Sequence, residues 1–77
     1  MIDRRLADVA PGENVEFVGF DPTVDSMLRD RLLAYGLAPA QRLDVVQQTP
    51  LTIVVCDHAE LALEAVVARG MRVRGKA

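Results

Sequence analysis

Apolar positions along the chain follow two different periods, and the switches between them outline the elements. From Asn14 to Phe20 they alternate, with Val15, Phe17 and Gly19 on one side and Glu16, Val18 and Phe20 on the other. This predicts a strand over 14–20 with one strongly apolar face, entered through the turn signal Pro11-Gly12. The period then changes. Val24, Leu28, Leu32 and Tyr35 stand four, four and three residues apart, the stripe of an amphipathic helix. Asp21 with Pro22 reads as N-cap and first helical residue, and Thr23 is an alternative cap. Asp25 and Arg29 form a favourable i,i+4 pair. Gly36 is the natural left-handed residue after the helix, and Pro39 stops its continuation.

Alternation returns in "QRLDVVQQ", with Leu43 and Val45 opposed to Asp44 and Val46. "PLTIVVCDH" predicts a third strand, starting after a proline that cannot donate to a ladder. A turn near His58-Ala59 leads into "AELAL", a short fourth strand. "LEAVVARG" places Leu63, Val66 and Val67 on one helical face and ends at Gly70. "MRVRG" closes the chain as a strand with Met71 and Val73 facing inward. Strand, helix, three strands, short helix, strand is the order of a mainly β fold. The expectation is a small SH3-like barrel of about five strands, with one helix inserted after the first strand and a short helix before the last. A closed sheet would also leave few free edges. Residues 1–77 are expected to form a single domain.

Composition sharpens this. The chain is 51% hydrophobic but only 4% aromatic, so its core must be aliphatic. Nine basic and eleven acidic residues leave a net charge of −2, without the basic footprint of a nucleic-acid binder or of a membrane-surface protein. No apolar run nears the roughly 20 residues of a membrane span, and the charged N-terminus does not read as a signal peptide. One cysteine, Cys56, excludes an internal disulfide and fits a reducing compartment. A cytoplasmic location is expected.

Candidate chemistry is sparse. CxxC, HxxxH, GxGxxG and GxxxxGK[ST] are all absent, no cofactor is indicated, and no nucleophile–base pair points to an enzyme. Cys56 and His58 would share a face if both lay on a strand, which makes them a weak metal-ligand pair, two ligands short of a structural zinc site. Read without function, Cys56 is a small buried hydrophobe and His58 an exposed turn residue. Asp21, Asp25 and Asp30 lack the spacing of a calcium loop and read as a cap plus two solvated positions. Met27 and Leu33 lie off the stripe of the first helix; with Tyr35 and Leu37 they are candidates for a small partner-binding patch, against plain core packing.

The corner "RLLAYGLAPA" resembles the RL-x-x-hydrophobic-G-L-x-P-G corner of the ferrous iron transport protein A family, the FeoA domains. "LADVAPGE", "TPL" and "ELALEAVVARGMRV" are similar to three further segments of that family, in the same order. The resemblance implies an SH3-like fold, a cytoplasmic location and a part in iron homeostasis, with transition-metal binding as a family-level property. Its implied partner is FeoB, a membrane transporter with a cytosolic GTPase domain. The alternative is the SH3-like C-terminal domain of a metal-dependent transcriptional regulator. That role calls for a helix-turn-helix segment ahead of the domain, and none precedes it in the 77 residues. Ala40 stands where the family usually has glycine, which implies a different backbone conformation at that turn or another residue in its role. Glu64 replaces a common basic residue, Tyr35 an aliphatic one, and the hairpin after Pro50 is shorter. Self-association is left open.

Overall fold

The structure is a computed structural model that describes residues 3–75. Strand β1 (Arg4–Arg5) runs into a 3-10 turn (Leu6–Asp8), followed by β2 (Asn14–Phe20) and helix α1 (Ser26–Ala34). Then come β3 (Arg42–Gln47), β4 (Thr52–Cys56), β5 (Ala59–Leu63), helix α2 (Ala65–Arg69) and β6 (Met71–Gly75). The strands form one antiparallel sheet in the order β1-β6-β2-β3-β4-β5.

The alternating patterns place β2 centrally. Its inward residues Val15 and Phe17 stand opposite Leu43 of β3 and Val73 of β6. These side chains, with Val45, Val54, Leu63 and Met71, form the sheet's buried face. Leu6 and Val9 close it from the N-terminal turn, Leu32 and Leu37 from the exit of α1, and Val67 and Ala68 from α2. Burying each Leu, Val, Met or Phe stabilises by about 1.5–3 kcal/mol, so an aliphatic core suffices here. The ladder between β2 and β6 shifts register between Phe17 and Gly19, and past that bulge Phe20 meets Phe17 edge-on at 5.1 Å.

The sheet departs from the expected five-stranded barrel in having a sixth strand and in staying open. β1 contributes two residues before Leu6 turns into the core, too short a strand to carry any period. Among the described residues it pairs only with β6, and β5 pairs only with β4. The two end strands therefore do not close a ring.

Helix α1 starts later than its sequence suggests. Its N-cap is Asp25, whose carboxylate accepts the Leu28 N–H at 3.1 Å. Asp21 is not free to cap. Its N–H donates to the Gly70 carbonyl at 2.8 Å, and its side chain is held by two arginines. Tyr35 is also off the core stripe, at 61% exposed, while Val24 and Leu28 are half-buried and Leu32 buried. In α2 the expected face is likewise different: Leu63 belongs to β5, Val66 is exposed, and Val67 with Ala68 are buried. A helix of five residues has room for one inward turn only.

The helix-to-strand corner uses two left-handed residues. Gly36 adopts φ +102° after α1, as expected. Ala40 adopts φ 73° itself, so the turn keeps a left-handed backbone despite the missing glycine. Phe17 imposes it: the Ala40 N–H donates to the Phe17 carbonyl at 2.9 Å, and the Phe17 N–H donates to the Gln41 carbonyl at 2.8 Å. This pair locks the corner onto β2.

Candidate functional site

A groove of about 500 Å³ lies between the N-terminal end of α1 and α2. Val24, Leu28, Val66 and Val67 supply its apolar lining, and Arg5, Asp21 and Arg69 stand among its polar lining residues. Gly70 lines it too, and the approach there is close. A Cβ on Gly70 would collide with the Cγ2 of Val24, so glycine lets the segment entering α1 pack against the end of α2.

The polar end is a cross-link. The Asp21 carboxylate accepts Arg5 Nη1 at 2.8 Å and Arg72 Nε at 2.7 Å. Arg5 Nη1 also donates to the Arg69 carbonyl at the end of α2. Hydrogen bonds from Arg72 and then Arg5 hold the Asp21 carboxyl below the usual carboxylate range. Asp21 thus ties β1, β6 and the entry to α1 together, and its carboxylate is satisfied by the protein. A similar pair, Arg4 with Glu13 at 3.0 Å, lies on the same terminal region, and Glu13 is also lowered, by Arg4 and by the Ala10 N–H.

A second cleft, of about 370 Å³, runs along β5 beneath the C-terminal end of α1. Leu32, Tyr35, Leu61 and Leu63 line it.

The structure separates the four residues of the expected partner patch. Met27 is 72% exposed, Leu33 42% and Tyr35 61%, whereas Leu37 is fully buried in the core and leaves the patch. Leu37 turns inward because the Gly36 corner directs its N–H back to the Leu32 carbonyl at 3.3 Å. Six residues separate Met27 from Leu33, which sets them about 120° apart around α1, on different sides. The sequence reading missed Val24 and Val66. No local signal separates Val66 from Val67: both are apolar neighbours on a short helix, and packing buries Val67 with Ala68 and leaves Val66 outside.

Cys56 and His58 do not share a face. β4 ends at Cys56, and Asp57 takes φ 56°, which breaks the alternation. Cys56 is buried with its thiol toward the Gly36 carbonyl, and burial pushes that thiol up. His58 lies exposed in the turn. Asp25 is a cap, Asp30 is exposed, and Asp21 is engaged by arginines, so these three form no cluster either. Among the described residues no group of three or more His, Cys, Asp or Glu is placed to hold a metal ion. Also among these, no helix is long and apolar enough to cross a membrane.

The chain is thus a small open β-sheet with an arginine-tied end and an apolar inter-helix groove. The family model for the FeoA domain matches residues 4–75, and the chain belongs to that family. A crystal structure of an iron uptake regulatory protein (FeoA) superposes with a TM-score of 0.81 at 20% identity, covering 99% of this chain and 100% of that one. The solution structure of FeoA from Chlorobium tepidum gives 0.86 at 23%, covering 96% and 71%. T. acidophilum IdeR gives 0.87 at 14%, covering 99% of this chain but only 35% of that one. The SH3-like fold is shared by all three. No curated protein matches the chain.

Proposed function

We propose that this chain is a cytoplasmic accessory protein of bacterial ferrous iron uptake that binds the cytosolic part of a FeoB-type transporter. Family membership supports the iron-uptake role. The observation that carries the binding role is the α1–α2 groove, an apolar trough with the exposed Val66 on its wall. Together with the half-buried Val24 and Leu28, the exposed Val66 gives the trough an apolar wall on which an apolar segment of a partner could lie. An apolar segment of the transporter fills the groove, and Met27, Leu33 and Tyr35 extend the contact around α1. The bound module biases the GTPase cycle only as far as it prefers one nucleotide state.

The test is titration of the purified chain against the matching transporter in detergent, nucleotide-free, with GDP and with a non-hydrolysable GTP analogue. The isolated GTPase domain serves as a separate titrant. Val66→Glu weakens binding about tenfold or more, and Met27→Glu and Leu33→Glu weaken it less. Wild-type affinity for Val66→Glu, with the fold intact, removes the groove from the interface. Absence of binding in every state refutes the accessory role. It leaves the second reading, a domain of a metal-dependent regulator, which is motivated by the fold shared with IdeR and with a manganese-dependent transcriptional repressor.

A further inference from the structure

The open sheet leaves β5 as a five-residue edge strand. Natural edges are blunted by brevity, proline, lysine, bulges or cover. β1, at the other end, is blunted by being two residues long. β5 carries no proline, lysine or bulge: its sequence is AELAL, with Glu60 its one charge and the end of α1 over its inner face, and its register with β4 runs unbroken through five pairs. Ala59, Glu60 and Ala62 are exposed, and among the described residues no backbone hydrogen bond outside the β4–β5 ladder involves 59–63.

The hairpin register says which groups are free. Asp57 and His58 form a two-residue loop flanked by the pair Cys56–Ala59, which in such loops is hydrogen-bonded. Pairs then alternate along the ladder. Ala59, Leu61 and Leu63 therefore direct their backbone groups to β4. Glu60 and Ala62 direct theirs outward.

We propose that β5 pairs with β5 of a second copy of this chain, antiparallel about a two-fold axis at Leu61, to make one continuous sheet. The edge is self-complementary in three respects. First, two-fold pairing centred on Leu61 sets Glu60 opposite Ala62 of the second copy, and these are the residues whose N–H and C=O groups are free. Second, Leu61 meets its own copy in a non-hydrogen-bonded pair, the closer kind, where side chains touch. The two leucines extend the apolar cleft lined by Leu32 and Tyr35 from one copy into the other. Third, the only charge on the strand, Glu60, lies opposite an alanine, so no like charges stand directly across from each other. The two Glu60 carboxylates are diagonal neighbours on the outer face. Five paired residues bury less than the roughly 1,200 Å² of a standard interface, so the dimer is weak, with a dissociation constant on the order of 10⁻⁴ M. This surface is separate from the α1–α2 groove and shares with the contact proposed around α1 only Tyr35, which lines the β5 cleft.

Two measurements test it. Light scattering on the full chain is expected to show the mean mass rising from monomer toward dimer between about 10 μM and 1 mM. Ala62→Pro removes only an outward N–H, a substitution edge strands accept, and is expected to stay monomeric throughout while keeping the wild-type circular dichroism. In parallel, amide exchange at Glu60 and Ala62 should slow as concentration rises, while Ala59, Leu61 and Leu63 stay unchanged. A monomer at 1 mM overturns the proposal. So does self-association that Ala62→Pro leaves intact, or concentration-independent exchange at Glu60 and Ala62. If Ala62→Pro disturbs the fold, the exchange pattern of the wild-type chain decides alone.

Discussion

Ala40→Gly should stabilise this protein, which is an unusual direction for a single substitution. Ala40 is held at φ 73° by hydrogen bonds that tie it and Gln41 to Phe17. A residue with a Cβ in the left-handed region costs about 1–2 kcal/mol. Its side chain is exposed, so losing the methyl removes no packing. Against the relief stands the greater freedom of glycine in the unfolded chain, about 0.5–1 kcal/mol. The midpoints of the two ranges leave a net gain of about 0.75 kcal/mol, or about 3–6 °C in Tm for a domain of this size. Urea denaturation of both proteins measures it, with the midpoint rising and the slope m unchanged. Ala38→Gly is the control. It is exposed on the same loop without a positive φ, so only the entropic loss remains and its midpoint should fall. Equal or lower stability for Ala40→Gly would refute the argument, because it would mean that residue 40 is not left-handed in solution.

Gln48 is expected to be costly to remove. Its Nε2 donates to the carbonyls of Leu6 at 2.9 Å and Val9 at 2.6 Å, and its Oε1 accepts the buried Thr52 hydroxyl at 2.7 Å. Gln48→Ala strands these groups and should cost about 2–3 kcal/mol; in a denaturation double-mutant cycle Thr52→Val should recover part of it, and strict additivity would exclude the network. Asp21 governs an acid limb. Its folded pKa lies below the unfolded one, so its ion pairs stabilise at neutral pH and that stability is lost as pH falls through the carboxylate range. The stability difference between wild type and Asp21→Asn should shrink toward acid, with Glu13 supplying part of the limb that persists; a difference independent of pH would refute the assignment.

Much of the fold was legible because alternation is a local property. The strand 14–20 and the inward residues Leu43, Val45, Met71 and Val73 stand where their period of two put them, since one buried face forces that period. Gly36 was legible too, because a left-handed exit from a helix selects glycine wherever the helix packs. The family corner was equally visible in the chain. What tertiary structure alone decided was the choice among partners. Asp21 had the residue type of a cap but was taken by Arg5 and Arg72, 16 and 51 residues away, leaving Asp25 to start α1. Ala40 became left-handed because Phe17, in another strand, fixes its backbone. β1 was invisible, since two residues carry no period. The α1–α2 groove exists because Gly70 admits Val24, a contact between residues distant in sequence. The free edge of β5 exists because the end strands do not meet. Periodicity says which side of a segment is buried; hydrogen-bond partners and edges depend on which segments come together, and that is settled only when the whole chain packs.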